Sequence, residues 1–248
     1  MKVSLFLTCL GEQFYPEVGM SVVRVLRRHG CEVDFPDAQM CCGQPALNTG
    51  YPVEARKVAR GLIEAFRDAE FVVSPSGSCC GMIRHYYPSL FENDPSLGPD
   101  ARGLAGRVYE FSQFMVQVLG VDRLDASFPH KVTYHPSCHG SRLLGIREEP
   151  LALLRSIPDL ELVPLPRADD CCGFGGTFAV KLAPISVAIA DEKVAHVVET
   201  GAHFLAGTDL GCLMNIAGRM QVLGVKVEAM HIAELVDRAQ RTSEGARA

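Results

Sequence analysis

The chain has 248 residues, 48% of them hydrophobic and 21% charged, with a formal net charge of −5. That balance belongs to a globular protein with room for one large domain or two ordinary ones. Its scattered, slightly acidic charge excludes a nucleic-acid binder, which needs a basic face for phosphates, and the lack of tryptophan removes one base-stacking platform. No stretch approaches the roughly 18 apolar residues of a membrane helix. The longest candidate, 111–121, is closed by Glu110 and Asp122.

In chain order, the first predicted element is a strand over 3–7. It is too short and too weakly charged for a signal peptide, and no small-residue cleavage site follows, so a cytoplasmic chain is expected. Helical spacing over 19–28 precedes a strand over 31–35, a helix over 52–68 and a strand over 71–73. After the helix-sized run 111–121, Asp, Ser and Pro break the pattern within 122–130. That places a junction there, giving domains 1–125 and 126–248. The second half reads as strands over 131–134 and 160–163, a helix over 183–199, strands over 203–205 and 225–227, and a helix over 231–241. Strands alternating with helices predict α/β domains with mostly parallel sheets.

Ten cysteines are the anomaly. In a reducing compartment so many thiols point to metal or redox chemistry rather than to disulfides. Cys9, Cys41-Cys42-Gly43 and Cys79 match Cys138, Cys171-Cys172-Gly173 and Cys212, offset by about 130 residues throughout. The flanks repeat too: Val3-Ser-Leu-Phe-Leu-Thr-Cys9 parallels Val132-Thr-Tyr-His-Pro-Ser-Cys138. The chain therefore reads as two tandem, duplicated α/β domains related by pseudo-twofold symmetry. Cys9, Cys79, Cys138 and Cys212 each follow a strand, where open α/β sheets gather ligands. Each half is thus expected to bring four thiols to one pocket, with the two pockets facing each other. Cys31 and Cys80 have no counterparts; Cys31 reads as a core thiol, and Cys80 adjoins a proposed ligand.

Thiolates select zinc, copper(I) or iron–sulfur clusters. Structural zinc sites favour paired knuckles such as CxxC, which neither half has. Adjacent cysteines diverge and suit different irons of one cluster. An iron–sulfur cluster in each half is the leading reading, and structural zinc in a non-redox scaffold is the alternative. Gly43 and the Gly173-Phe-Gly-Gly176 run permit close backbone approach to an anionic group. His139 and Arg142, just after Cys138, are candidates for a proton relay and a carboxylate clamp, weighed against supporting or surface roles. Lys181 reads as a solvated helix charge. No GxGxxG follows a strand, so a hydride acceptor is absent or sits on a partner.

This cysteine pattern resembles the cysteine-rich CCG domain. That domain occurs twice in the B subunit of heterodisulfide reductase, and also in the iron–sulfur subunits of glycolate oxidase and anaerobic glycerol-3-phosphate dehydrogenase. Over nearly its whole length the chain resembles the lactate utilization protein A family. The likeness runs through Met1-Lys-Val-Ser-Leu-Phe, Cys41-Cys-Gly-Gln-Pro45, Ser74-Pro-Ser-Gly-Ser-Cys79, Cys171-Cys-Gly-Phe-Gly-Gly-Thr-Phe178 and Gly211-Cys-Leu-Met-Asn215. The resemblance implies an iron–sulfur subunit of a three-protein cytoplasmic system that oxidises L-lactate to pyruvate. Its partners would be a ferredoxin-like iron–sulfur subunit and a third small subunit. A glycolate, glycerol-3-phosphate or thiol–disulfide system remains the redox alternative.

The full family pattern ends in CxxC, giving five cysteines per domain. Here Ser76 and Asp209 stand at the first of those two positions, leaving four per half. That departure puts the five-cysteine, non-cubane cluster of the heterodisulfide reductase relatives in doubt. Four thiols suffice for an ordinary [4Fe–4S] cluster in each domain, which is favoured. Asp209 as an oxygen ligand, or an iron left open to substrate, are the alternatives.

Overall fold

Short β-branched and aromatic runs form strands in the computed structural model, which describes residues 1–247. β1 (Lys2–Leu5), β2 (Glu32–Asp34), β3 (Phe71–Ser74) and β4 (Val108–Glu110) make one sheet in the order β2-β1-β3-β4. β5 (Lys131–His135), β6 (Glu161–Val163), β7 (Phe204–Gly207) and β8 (Glu228–His231) repeat it as β6-β5-β7-β8. Every strand pair is parallel, and the register repeats: Val3 lies opposite Phe71 as Val132 lies opposite Phe204. The chain is α/β, with two parallel four-stranded sheets of one design.

Two strands depart from the sequence reading. β4 is a three-residue edge strand, Val-Tyr-Glu, too short to show a period. β8 begins beyond 225–227, because the Val225 N–H donates to the Met220 carbonyl and closes the preceding helix instead. Val225 and Val227 pack there against the second-half core.

The helices follow their signals closely. Pro16–Arg28 starts on proline, carries Glu17 in its first turn and Arg27 and Arg28 in its last, and buries Val18, Val22, Val25 and Leu26 along one stripe. Strand alternation then sorts the side chains into layers. Val3, Leu5, Val132 and Tyr134 face one shared core, while Phe6 and Leu205 face separate outer cores.

Helices from both halves fill the shared core, and two of them cross over. The C-terminal helix Ile232–Arg247 packs on Pro16–Arg28 of the first half. There the buried Asp237 accepts from Arg24 Nε at 2.9 Å and Arg28 Nη1 at 2.7 Å. Conversely the helical turns Phe111–Gln113 and Phe114–Val118, which follow β4, pack on Glu148–Arg155 of the second half. Residues 119–130 between them carry no helix or strand. Among the described residues, no helix is long and apolar enough to cross a membrane.

Candidate metal centre

Strand ends and capped helix starts set the thiols. Cys9 opens the helix Cys9–Phe14 after β1, where Thr8 Oγ1 accepts from the Gly11 N–H at 3.2 Å. In the second half Ser137 Oγ takes the Gly140 N–H at 3.0 Å in the same way, beside Cys138. Cys79 sits in Gly77–Gly81 with Ser76 as its cap, and Cys212 in Leu210–Val222 with Asp209 as its cap. The CCG turns depend on their glycines. Gly43 (φ 83°) and Gly173 (φ 84°) are left-handed, and a Cβ would lie 3.0 Å from the Ala55 carbonyl oxygen or 2.6 Å from that of Ser186. Only glycine fits either place without strain.

All eight repeated cysteines line one cleft between the halves, a cavity of about 210 Å³ that also receives Gln44, Asn48 and His139. Within it Cys9 and Cys41 have their sulfurs 3.6 Å apart, Cys42 and Cys79 3.2 Å, and Cys172 and Cys212 3.1 Å. The halves are stapled at the cleft floor. Ser76 pairs with Asp209 in an antiparallel bridge, and the Gly77 N–H donates to the Thr208 carbonyl at 3.1 Å. Asp209 is fully engaged: Oδ1 accepts from the Gly211 and Cys212 N–H groups at 3.2 and 3.4 Å. Its Oδ2 accepts from the Ser78 N–H at 2.8 Å and the Ser76 hydroxyl at 3.3 Å. Any oxygen-ligand role would have to break part of this staple.

The donor set suits a soft metal centre. Backbone N–H groups point at sulfur, Gly43 to Cys41 at 3.5 Å and Gly173 to Cys171 at 3.3 Å, and so favour thiolates. Hydrogen bonds from Cys42 and Cys9 bring Cys41 down and favour its thiolate. The bond to Cys41 pushes Cys9 up, and bonds to Cys41 and Cys79 push Cys42 up. In the second quartet burial raises Cys138, and the bond to Cys172 raises Cys171. Loading a metal on these thiols therefore releases protons.

The remaining candidates separate. His139 Nδ1 lies 3.5 Å from Cys138 Sγ on the cleft wall. Arg142 instead donates to the Asp169 carbonyl at 2.7 Å and does not line the cleft, because the π-helical turn His139–Leu143 carries its side chain outward. Lys181 is exposed. Cys31 lies in the shared core and Cys80 in the first-half core, neither on the cleft.

One residue of the site, His135, stands out in sequence beside Cys138 in His135-Pro-Ser-Cys138, but nothing there gives it a ligand role. His135, at the end of β5, is 2% exposed with neither ring nitrogen hydrogen-bonded. A ring nitrogen and the sulfurs of Cys172 and Cys212 lie within 4.8 Å of one another. Burial, and then the charge of Lys193, pull its imidazole down to about 3, so it is neutral. The repeat carried the signal: His135 aligns with Phe6.

The sequence model of the CCG cysteine-rich domain matches residues 3–84 and 132–217, one copy around each quartet. The chain is 52% identical over 237 residues to lactate utilization protein A of Geobacillus kaustophilus (strain HTA426), covering 96% of this chain and 99% of that one. The chain belongs to the lactate utilization protein A family. The Bacillus subtilis (strain 168) member is likewise 52% identical, with the same shares covered. The fold is also that of a solved structure, a hypothetical protein from Helicobacter pylori, with a TM-score of 0.70 at 10% identity. The match covers all of this chain and 51% of the Helicobacter protein, so the chain spans about half its length.

Proposed function

We propose that the protein binds one iron–sulfur cluster on each cysteine quartet, in the first instance [4Fe–4S], and carries electrons in a cytoplasmic system that oxidises L-lactate to pyruvate. The observation that carries this reading is the meeting of two four-thiol sets in one cleft, each with an adjacent-cysteine turn and N–H groups aimed at sulfur. That the relatives are lactate utilization proteins supports lactate as the substrate. Once bound, such a cluster supplies one-electron transfer at a potential set by its ligands, hydrogen bonds and burial.

The chain's own residues have defined tasks in this reading. Cys9, Cys41, Cys42 and Cys79 hold the first centre; Cys138, Cys171, Cys172 and Cys212 hold the second. Gly43 and Gly173 bring N–H donors to the sulfurs, and His139 stands where it can take or return a proton beside Cys138. Ser76 and Asp209 fix the spacing between the quartets. A ferredoxin-like iron–sulfur subunit and a third small subunit complete the proposed system.

The test is iron and acid-labile sulfide content, with an electron paramagnetic resonance spectrum, on protein purified without oxygen. About four irons and four sulfides per quartet are expected for [4Fe–4S] centres. Stoichiometric zinc without labile sulfide would overturn the electron-transfer reading in favour of a structural scaffold.

A further inference from the structure

We propose that His135 is a nitrogen donor to the metal centre of the second half, so that this centre has mixed thiolate and imidazole ligands while the first has thiolates alone. The inference rests on the reading that the second quartet binds a metal centre.

Three observations converge on it. First, an imidazole buried with both nitrogens unpartnered is costly, and a fold keeps such a group where something occupies it. Secondly, its surroundings are donors. Its nitrogen and the Cys172 and Cys212 sulfurs lie within 4.8 Å of one another, a span compatible with one metal atom among the three.

Thirdly, packing does not demand an imidazole here. The first half places Phe6 at the same register position, with its ring edge-on to Phe66 at 5.7 Å, beside Cys42 and Cys79 in one core. The duplicated fold therefore accepts a hydrocarbon ring at this point, and the second half has a nitrogen ligand instead. Donor count agrees. Asp209 occupies the place of the missing cysteine but spends both oxygens on N–H and hydroxyl groups. With His135 the second half offers five soft or borderline donors, one more than the four corners of a [4Fe–4S] cube take, so the imidazole either replaces one thiolate or adds a fifth bond at one iron, while the first half stays at four.

The experiment uses the full chain carrying Cys42→Ser, which empties the first quartet, reconstituted with iron and sulfide without oxygen. Pulsed electron paramagnetic resonance on protein labelled with ¹⁵N-histidine should show strong nitrogen coupling, and iron-edge X-ray absorption a nitrogen at about 2.0–2.1 Å, taking zinc–imidazole as the guide. Both signals should vanish in His135→Phe, a side chain the other half already accommodates. His135→Cys keeps a donor in place; it should retain the iron with sulfur-only ligation and a lower midpoint potential, since thiolate replaces neutral imidazole. A loaded second centre with no strong histidine coupling, and a spectrum unchanged in His135→Phe, would overturn the ligand role and leave the cluster reading intact. Failure of the second quartet to take up any iron would overturn both, and the iron content of the protein tells that result apart.

Discussion

The two halves have the same strand order, the same register and the same four cysteine positions, yet they differ in side chains near the thiols and at the matching strand ends. Phe6 in the first half is His135 in the second, Ser76 is Asp209, and Glu110 at the end of β4 is His231 at the end of β8. Nearby, the second half also buries Lys193, whose ammonium donates to the Arg167 and Ala168 carbonyls at 3.0 and 3.2 Å. Duplication has kept the thiol frame, which a soft metal constrains, and has let the polar wall diverge. Clusters bound to both quartets as proposed would have unlike surroundings and so unlike potentials.

The largest expected effect breaks the symmetry outright. Cys42→Ser and Cys172→Ser should each remove the metal of one half and leave the other loaded, so iron and sulfide fall by about half in either variant. Retention of full iron in both would take these two cysteines out of the ligand set. Residual spectra of the two variants should differ, because the remaining centres have different walls. Identical spectra would erase the contrast drawn between Phe6 and His135.

Much of this comparison was legible in the sequence, because cysteine spacing and strand-to-cysteine junctions survive duplication. The eight thiols, the parallel sheets and the Gly43 and Gly173 turns all follow from local patterns. The meeting of the two quartets was expected from symmetry alone. Other features depend on tertiary placement, which no local pattern encodes. Nothing in the segment around Asp237 announces that its helix crosses to the first half and meets Arg24 and Arg28. Arg142 looked like a cleft residue because it is near Cys138 in sequence, but a π-helical turn carries it to the Asp169 carbonyl. His135 was visible as a neighbour of Cys138, but only aligning the repeats residue by residue shows it as a polar outlier opposite Phe6.

The crossed helices give a second contrast. The first-half crossing, on Glu148–Arg155, is largely apolar, built on Phe111, Phe114, Leu153 and Leu154. The C-terminal crossing adds an ionic clasp, with the fully buried Asp237 side chain between Arg24 and Arg28. Asp237→Ala leaves both guanidinium groups without that carboxylate and should cost about 4 kcal/mol. Urea unfolding checks it. A loss under about 1 kcal/mol would mean that solvent already satisfies the arginines, which retain partial exposure.

The smallest effect concerns Glu110 and His231, which occupy matching strand ends and cap the crossing helices with opposite chemistry. Glu110 accepts from the Ser112 and Gln113 N–H groups at 2.9 and 3.3 Å, and His231 Nδ1 accepts from the Ala233 N–H at 3.1 Å. Burial raises Glu110 to about 7 from an ordinary 4.5, and burial lowers His231 to about 3 from 6.5. The signs are therefore opposed. Between pH 4.5 and 7 Glu110 keeps its proton in the fold while the unfolded chain loses it, so stability falls as pH rises through that window. His231 stays neutral in the fold while the unfolded chain gains a proton, so its contribution is present above pH 6.5 and is lost as pH falls towards 3. Glu110→Gln keeps an acceptor for the cap but cannot ionise. Its stability relative to the parent should be near zero below about pH 4 and rise to a gain of about 3 kcal/mol by pH 8, the full shift converted at 1.36 kcal/mol per unit. A difference that stays flat from pH 5 to 8 would show that Glu110 ionises as easily in the fold as in the unfolded chain. The two strand ends would then no longer respond to acid in opposite directions.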